Sequence, residues 1–459
     1  MRHGTAAHRG SPGTPAGVRS LVATDPVRLT TKSSIGSPPS FPTIRPGGAP
    51  SHFHVLAKPT GAICNLDCEY CFYLEKEALY AGDRFRMGDD VLEAYLRQLL
   101  ESHARSSAVT IAWQGGEPTL MGAPFFRRAV QLAESLKAPG QRLDHTIQTN
   151  ATLVTDELSE VFAEHGFLVG VSVDGPPGLH DRYRVDKKGR PTSDRVLEGY
   201  ATLRRHGVEC NILCTVHAAN QDHPLEVYRY FRDDLGANFV QFIPIVESSA
   251  SELGTVEVSG RSVVPMAWGT FLSSVFDEWL RRDVGTVYVG IFDVALASWI
   301  GAPPSLCIFA ETCGNAVALE HNGDLYSCDH FVDADHLLGN ILETHMVELL
   351  ASPAQRAFGD HKRSALPRYC RECDVRFACN GECPKNRFTR TPDGEEGLNY
   401  LCAGYKSFFT HIAPVMGLMA DRLRSGGFAD EVMTQLRNAP RNEPCPCGSG
   451  RKAKACHAR

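Results

Sequence analysis

The sequence has no apolar run long enough to span a lipid bilayer and no excess of positive charge. Its 459 residues include 47 lysines and arginines against 53 aspartates and glutamates, so the formal net charge is -6. A membrane-spanning helix needs about 20 apolar residues, and general attraction to nucleic acid or to an anionic membrane needs a positive surface. We therefore expect neither nucleic acid nor membrane among the partners.

The beginning of the chain also lacks the features of an export signal. Residues 1–50 are rich in glycine, proline, serine, threonine and arginine, and they contain no apolar core of a secretory signal peptide. Such a composition buries too little apolar surface to order the chain. We predict a disordered leader over residues 1–50 and a soluble, cytoplasmic protein.

Cysteine, by contrast, is abundant. The 16 cysteines favour metal binding over a disulfide framework, because disulfides are rare in proteins that are not exported. Three lie within residues 64–71, eight within 307–402 and three near the end of the chain. Cys210 and Cys214 stand apart in an apolar segment, where we interpret them as ordinary buried thiols.

Residues 52–282 alternate between short strand-like runs and segments of helical period, which is typical of repeated βα units around a parallel sheet. The predicted strands are 53–58, 108–113, 143–149, 167–174, 208–216 and 238–245. The predicted helices are 89–103, 124–137, 155–165, 194–206, 224–235 and 265–282. Six such units are too few for a closed eight-fold barrel, so we predict an α/β fold with a partial barrel.

Polar or cysteine-rich segments follow the first four predicted strands. They are the cysteine segment 64–71, QGGEP at 114–118, QTN at 148–150 and DGP at 174–176. Loops at the carboxyl ends of parallel strands converge on one face of a sheet, so we expect the chemistry there. Gln148 and Asn150 would either bind a substrate backbone or close their own turn.

Cys64, Cys68 and Cys71 form the sharpest motif. Three thiolates on one short loop leave one iron of a four-iron cluster open for a substrate or cofactor. The structural alternatives are a zinc loop without its fourth ligand, or buried thiols.

This CxxxCxxC spacing resembles the radical S-adenosylmethionine superfamily, whose fold is a partial (βα)6 TIM-like barrel. The resemblance implies that the open iron binds S-adenosylmethionine. It also implies six cofactor-contacting residues: Tyr70, Gly115, Gly116, Glu117, Ser172 and Arg184. A glycine pair alone is usually a tight turn, and an arginine in HDRYRVDKKGR is otherwise a solvated loop charge.

The eight cysteines of residues 307–402 can fill two four-thiolate sites, and their spacing alone fits zinc as well as iron. The segment resembles SPASM extensions, which hold two auxiliary four-iron clusters. By that resemblance the first cluster binds to Cys307, Cys313, Cys328 and Cys383. The second binds to Cys370, Cys373, Cys379 and Cys402. Clusters with four thiolate ligands transfer electrons and do not bind substrate.

Within that group the chain is most similar to anaerobic sulfatase-maturating enzymes, through residues 53–77, 113–120, 146–154 and 327–341. The resemblance implies three 4Fe-4S clusters, a sulfatase polypeptide as substrate and a reduced electron donor such as ferredoxin or flavodoxin. A deoxyadenosyl radical would oxidise a sulfatase cysteine or serine to Cα-formylglycine, with Asp329 as the base. The alternative for Asp329 is to cap the turn CDHFV.

Residues 438–459 contain a separate group of potential ligands, Cys445, Cys447, Cys456 and His457. Three thiolates and an imidazole suit tetrahedral zinc. The segment resembles the SEC-C motif, which implies Zn2+ binding. A disordered basic tail is the alternative.

These features predict five segments, namely the leader, a barrel over 51–290, the cysteine-rich extension over 300–406, a helix and linker over 407–437 and the tail over 438–459. Two other hypotheses stay open. One is a related peptide maturase that forms thioether or carbon–carbon crosslinks, and the other is a zinc adaptor without catalysis.

Overall fold

The computed structural model describes residues 47–250 and 256–457, so most of the predicted leader, residues 1–46, lies outside the described residues. The strands are β1 (His54–Ala57), β2 (Ala108–Trp113), β3 (Arg142–Thr149), β4 (Leu168–Ser172), β5 (Glu209–Val216), β6 (Phe239–Pro244), β7 (Ser248–Ala250), β8 (Val256–Val258), β9 (Tyr288–Val289), β10 (Ala316–Leu319), β11 (Asp324–Tyr326), β12 (Leu337–Asn340), β13 (Thr389–Arg390) and β14 (Glu396–Leu398).

Ten of these strands form one sheet in the order β12-β11-β10-β1-β2-β3-β4-β5-β6-β9. Neighbouring strands from β1 to β6 are parallel, which confirms the six predicted strands and the α/β class. The sequence did not indicate the flanking strands. β9 adds to β6 and β10 adds to β1, both in parallel, while β11 and β12 continue antiparallel.

The α-helices are α1 (Asp89–Ser102), α2 (Ala123–Leu136), α3 (Asp156–Glu164), α4 (Pro177–His180), α5 (Ser193–Arg205), α6 (Pro224–Arg229), α7 (Pro265–Arg282), α8 (Gly290–Trp299), α9 (Met346–Leu350), α10 (Pro353–Ser364), α11 (Arg368–Arg371), α12 (Arg376–Cys379), α13 (Cys402–Arg424) and α14 (Glu431–Arg437). The six helices predicted between the strands are present. Thr155 caps α3 by accepting a hydrogen bond from the Leu158 N–H, and α6 continues as a π-helical stretch, Tyr230–Asp234.

The core lies between the sheet and its helices because alternate strand residues point outward. On β2, Val109, Ile111 and Trp113 are buried in this layer. Trp113 contacts Tyr95 of α1 and Phe126 of α2 edge to face. Burial of each such side chain stabilises the fold by about 1.5–3 kcal/mol.

The cysteine-rich extension is joined to the barrel by β10 and by α13. The Lys58 N–H, directly after β1, donates to the Leu319 carbonyl of β10 at 2.8 Å. Helix α13 packs against α7 so closely that a Cβ added to Gly404 would lie 2.0 Å from the Pro265 carbonyl oxygen. Since α13 begins at Cys402, this packing positions one of the predicted ligands.

No helix in the described ranges is both long enough and apolar enough to cross a membrane.

Candidate active site and metal centres

The triad loop, residues 64–71, follows β1 and is held by backbone hydrogen bonds to the segment after β4. The Asp67 N–H donates to the Val185 carbonyl at 2.9 Å, and the Glu69 N–H donates to the Tyr183 carbonyl at 3.0 Å. All three triad cysteines are free and half-buried. The loop therefore presents three thiols at the edge of the sheet where the predicted site lies.

Burial makes Cys64 and Cys68 poor thiolates without a cation. It raises the pKa of Cys64 to about 12, with a smaller contribution from Glu117, and it raises the pKa of Cys68 to about 11. A metal cation that binds the sulfur reverses this penalty, because it stabilises the thiolate. The site therefore fits a metal centre better than a free nucleophile.

The distances between possible ligand atoms differ among the cysteine groups. Zinc binds thiolates at about 2.3 Å, so the sulfurs of one zinc site lie roughly 3.8 Å apart. Among the described residues, the only group of three or more possible ligands whose atoms all lie within 4.8 Å is the terminal one. The triad and the eight-cysteine segment contain no such group among the described residues, so their sulfurs lie farther apart than those of one zinc site.

The QGGEP loop after β2 lies against the chain that leads into the triad. The Gly116 N–H donates to the Gly61 carbonyl at 2.8 Å, and the Glu117 N–H donates to the Ile63 carbonyl at 2.9 Å. A Cβ on Gly116 would lie 2.1 Å from the Ile63 oxygen. Gly115 has a φ of +128°, which favours glycine. Close backbone contact, not only a turn, therefore requires these glycines.

The Glu117 carboxylate joins the loops after β2 and β3. It is 1% exposed and accepts hydrogen bonds from Thr119, from the Thr149 hydroxyl at 2.7 Å and from the Asn150 N–H at 2.8 Å. Its side chain is occupied by protein partners. The carboxylate therefore supports the loop.

The QTN segment after β3 makes contacts within the protein. The Gln114 side-chain amide donates to the Gln148 side-chain oxygen at 2.8 Å. The Asn150 amide donates to Asn65 at 2.9 Å and lies 3.7 Å from the Cys64 sulfur, while its oxygen accepts from the Thr152 N–H. Asn150 thus closes its own turn and also contacts the triad loop.

Asp174, two residues after β4, holds two surrounding side chains and one backbone N–H group. Its carboxylate is 0% exposed, accepts a hydrogen bond from the Tyr70 hydroxyl, and accepts from Arg184 Nε and from the Thr215 N–H at 2.9 Å each. Burial opposes ionisation of Asp174, but Arg184 and His217 outweigh it and leave the pKa far below its usual value.

The alternative of a solvated Arg184 is therefore wrong, because its guanidinium is buried in an ion pair. Tyr70, between two triad cysteines, is tied to the same carboxylate. Ser172 is buried at the end of β4. The sequence placed Asp174 in a functional loop without giving it a role. The feature that could have identified Asp174 is a carboxylate that closely follows a fully buried strand.

Four cysteines from distant segments converge on what we call the first auxiliary site: Cys307, Cys313, Cys328 and Cys383. Burial raises the pKa of each thiol, and other thiols of the group add to the effect at Cys307, Cys328 and Cys383. Cys383 is influenced by Cys328 and Cys307, although spacing alone did not relate it to them.

The second auxiliary site surrounds a small, partly open cavity in the extension. Its walls include four thiols, and they are Cys370, Cys373, Cys379 and Cys402. Tyr405 and Lys406 of α13 complete one wall. A cavity with four converging thiols suits a cluster that is fully ligated by protein.

Asp329, directly after Cys328, forms a buried ion pair with Lys58. The Lys58 side chain is 2% exposed, and its ammonium also lies 3.9 Å from the centroid of the Tyr73 ring. Tyr73 donates a hydrogen bond to Glu320, next to β10. The Asp329 carboxylate thus contacts a lysine from the barrel, so the turn-capping alternative does not describe its main contact.

Sequence reasoning missed Lys58. The feature that could have identified it is a lysine directly after the apolar first strand. In the parallel pairing of β1 and β2 this position lies beside Gln114.

The terminal metal site is formed by Cys445, Cys447, Cys456 and His457, whose ligand atoms all lie within 4.8 Å of one another. The Cys447 and Cys456 sulfurs are 3.6 Å apart, and Cys445 Sγ is 3.4 Å from His457 Nδ1. These distances suit one tetrahedral ion. The described part of the tail is folded, so the alternative of a disordered tail is wrong for residues 438–457.

Known families match these three parts of the chain. Residues 59–231 match the Radical SAM superfamily, residues 307–374 match the iron-sulfur cluster-binding domain SPASM, and residues 441–459 match the SEC-C motif. The serine-type anaerobic sulfatase-maturating enzyme of Bacteroides thetaiotaomicron is 43% identical over 397 residues, which cover 84% of this chain and 95% of the relative. This chain belongs to the anaerobic sulfatase-maturating enzyme family.

Other family members are similar over nearly their whole length. The cysteine-type anaerobic sulfatase-maturating enzyme of Clostridium perfringens is 31% identical over 81% of this chain and 99% of the relative. The solved structure of anSMEcpe with bound AdoMet and Cp18Cys peptide has a TM-score of 0.72 and 30% identity, covering 81% of this chain and 99% of that one. The family therefore fits both the radical SAM fold and the SPASM extension seen here.

Streptococcus suis SuiB bound to precursor peptide SuiA has a TM-score of 0.54 and 16% identity, over 77% of this family member and 76% of SuiB. That likeness shows a shared fold.

Proposed function

We propose that this protein is an anaerobic sulfatase maturase that oxidises one serine or cysteine of a sulfatase polypeptide to Cα-formylglycine. The observation that carries the proposal is the Lys58–Asp329 ion pair, which unites the barrel with the cysteine-rich extension. Similarity to serine-type and cysteine-type sulfatase-maturating enzymes supports it. When bound, a four-iron cluster and S-adenosylmethionine would supply a deoxyadenosyl radical that abstracts hydrogen from the target β-carbon.

The triad thiols would hold the catalytic cluster and leave one iron open. Gly115 and Gly116 would lie along the methionine part of S-adenosylmethionine through their backbone, since a side chain at Gly116 has no space. Tyr70 and Arg184 would shape the same wall while they are held by Asp174. We keep Ser172 and Glu117 in the cofactor environment, with the Glu117 side chain as a support for the loop.

Asp329 would accept the proton of the substrate hydroxyl or thiol. Burial opposes its ionisation, but Lys58 and His330 outweigh this and hold the pKa of Asp329 below its usual value. The carboxylate is therefore ionised at neutral pH and ready to accept a proton. Hydrogen transfer, loss of this proton and loss of one electron together convert the carbon–oxygen or carbon–sulfur single bond into a double bond. A resulting thioaldehyde would hydrolyse to the aldehyde.

The first and second auxiliary sites would each hold a four-iron cluster, giving three clusters with the triad. Four thiols at each site, spread more widely than a zinc ion needs, support this assignment. The first auxiliary site contains Cys328, next to Asp329, so an electron from the substrate would enter there. We propose that a reduced ferredoxin or flavodoxin supplies the electron that starts each turnover.

The terminal metal site would hold Zn2+ through three thiolates and His457. Its ligand spacing supports a single tetrahedral ion and differs from that of the other cysteine groups.

The oxygen-labile clusters and free thiols fit a reducing compartment, and we propose the cytoplasm. We propose the same five segments as the sequence predicts. Strand β10 of the extension nevertheless pairs with β1 of the barrel in one sheet.

The test incubates anaerobically reconstituted, chemically reduced protein with S-adenosylmethionine and two sulfatase-motif peptides, one with serine and one with cysteine at the target position. The expected result is a new aldehyde at that position, detected by mass spectrometry and by hydrazide labelling. Iron and sulfide analysis of the same sample should give three four-iron clusters, and metal analysis should give one zinc.

Cleavage of S-adenosylmethionine without any aldehyde contradicts the proposal. A product that lacks two hydrogens but does not react with hydrazide indicates a crosslinking peptide maturase. Zinc in place of iron at the triad and auxiliary sites excludes both enzymes and favours the adaptor.

A further inference from the structure

Helix α10 carries an unusual buried stripe next to the first auxiliary site. The stripe consists of Gln355, Gly359 and Lys362, which repeat at helical spacing on a helix whose other residues are exposed, apart from the half-buried Phe358. An amphipathic helix normally buries apolar residues along such a stripe. Here the buried residues are a glutamine, a glycine and a lysine. We therefore expect the stripe to contact polar groups of neighbouring segments.

Each residue of the stripe contacts a segment that carries ligands. The Gln355 amide donates to the Gly314 carbonyl at 3.0 Å and to the Ser327 carbonyl at 3.3 Å. The Gly359 carbonyl accepts from the Cys313 N–H at 3.1 Å. Helix α10 therefore supports the loops that present the thiols of the first auxiliary site.

Lys362 is the charged member of the stripe and is 0% exposed. Its ammonium donates to the carbonyls of Cys307 and Ile308 at 2.8 Å each. Among the described residues these bonds use two of its three N–H groups. The groups that act electrostatically on this ammonium are the Cys307, Cys313 and Cys383 thiols of the first auxiliary site, the Glu382 carboxyl group and the nearby Arg387.

A buried lysine needs a compensating negative charge, since burial lowers the pKa of Lys362 while these thiols raise it. Glu382 is a buried carboxyl group that also interacts with Lys362, but burial raises the pKa of Glu382 and so opposes its negative charge. Asn386 and Asn399 donate hydrogen bonds to it. Four thiolates around a cluster leave a net negative charge, which increases by one when the cluster is reduced. The ammonium is placed where that charge develops.

We infer that the buried Lys362 ammonium is the counter-charge of the cluster in the first auxiliary site and increases the affinity of that cluster for an electron. A fixed positive charge in a water-poor environment stabilises the reduced state more than the oxidised state. Within the proposed function, this would help the first auxiliary site to accept the electron that the substrate releases. The inference rests on that function through its assignment of the cluster ligands.

The matching residues at the second auxiliary site are different. Lys406 lies in its wall but is exposed to solvent, and it donates to Tyr369. Solvent screens such a charge. Arg387 donates to four backbone carbonyls, those of Lys362, Asn380, Gly381 and Glu382. Lys362 is therefore the fully buried lysine of the two auxiliary sites, whereas Lys385, which also interacts with the Cys383 thiol, is only half-buried.

The test measures reduction potentials in the full-length chain with the three triad cysteines replaced by alanine, so that only the auxiliary clusters contribute. Lys362→Gln removes the charge and keeps a hydrogen-bond donor for the carbonyls. Lys362→Arg keeps the charge. Arg363→Gln is the matched control, because Arg363 is the next residue of α10 and its side chain is 50% exposed. Midpoints come from redox titration followed by electron paramagnetic resonance.

We expect Lys362→Gln to lower the electron affinity of one cluster at least tenfold, which is 59 mV for one electron. Lys362→Arg and Arg363→Gln should shift both midpoint potentials by less than this amount. An unchanged midpoint in Lys362→Gln, or an equal shift in Lys362→Gln and Lys362→Arg, overturns the inference. Loss of four irons from the glutamine variant also overturns it, since the lysine would then be needed to build the site.

Iron and sulfide analysis distinguishes failure of the inference about Lys362 from failure of the proposed function. If the parent protein has no auxiliary four-iron clusters, the ligand assignment fails. If it has both clusters and neither midpoint moves, only the role of Lys362 fails.

Discussion

The Lys58 ammonium and the Asp329 carboxylate form a buried ion pair between the end of the first barrel strand and the first auxiliary site. The two residues belong to separate segments of the sequence, and each is close to a cysteine group. Their contact gives the predicted base a fixed position relative to the triad loop.

Asp329→Asn should abolish aldehyde formation while all clusters remain, because asparagine fills the same volume but cannot accept the proton. Cleavage of S-adenosylmethionine should continue without coupling to peptide oxidation. The measurements are peptide mass spectrometry and iron analysis on the same preparation. Substantial turnover in this variant would remove Asp329 as the base.

Lys58→Met should move the acidic limb of the activity profile to higher pH. Burial raises the pKa of Asp329 and Lys58 lowers it, so loss of the lysine leaves the effect of burial. The ionised base then exists only at higher pH. A pH–rate profile tests this, with the exposed Lys187→Met as control. An unshifted limb would show that Lys58 does not act on Asp329.

The same variant should be less stable at neutral pH. Breaking one side of a buried ion pair costs about 3–5 kcal/mol. In the parent, the lowered pKa of Asp329 stabilises the fold above the ordinary carboxylate pKa, and this contribution is lost as the pH falls through the folded-state value. Thermal unfolding of Lys58→Met and parent should therefore differ most near neutrality and converge in acid.

Asp174→Asn should weaken binding of S-adenosylmethionine, since Arg184 and Tyr70 lose the carboxylate that orients both. The buried guanidinium is then unpaired, which should also lower the unfolding temperature. Asp156→Asn is the control because that carboxylate forms an exposed ion pair with Arg205. Equal cofactor affinity in Asp174→Asn and in the control would argue against an orienting role.

Gly116→Ala should impair cofactor binding and cluster loading, because the added Cβ would lie 2.1 Å from the Ile63 oxygen and would push the QGGEP loop from the triad. Gly178→Ala provides the control, since the site of its Cβ is open. Anaerobic equilibrium dialysis with labelled S-adenosylmethionine measures the effect. Normal affinity in Gly116→Ala would contradict the close packing seen here.

Cys456→Ser, or a zinc chelator, should release the terminal segment. The site has too few ligands without this thiol, and Gly448 of the same segment packs against Pro414 of α13. Trypsin should then cut near Arg451 and Lys452 faster than in the parent. Iron content should not change. Equal protection with and without zinc would show that the metal does not hold this segment.

Much of the barrel was predictable because its signals are local. The six central strands and the helix over 265–282 follow from apolar period and from proline at the first turn. β10 was not predictable in the same way, because four residues of AVAL within a cysteine-rich segment have no distinctive pattern. Its pairing with β1 depends on a contact between distant parts of the chain.

The site shows the same division. Spacing identified Cys64, Cys68 and Cys71 and the terminal ligands, since such motifs lie within a few turns of chain. The sequence could not indicate that Arg184 is buried, because its neighbours are charged. It gave no reason to single out Lys362, because a lysine in a polar helix is normally solvated.

The sequence by itself determined the kinds of chemistry that this protein contains: a three-thiolate loop, eight further thiols and a terminal set of zinc-type ligands. Only the tertiary structure decided which charged groups meet, bringing Asp329 to Lys58 and Lys362 to the first auxiliary site. The reason is physical. Ligand spacing is set by neighbouring residues, whereas ion pairs and buried charges depend on how the sheet and helices pack.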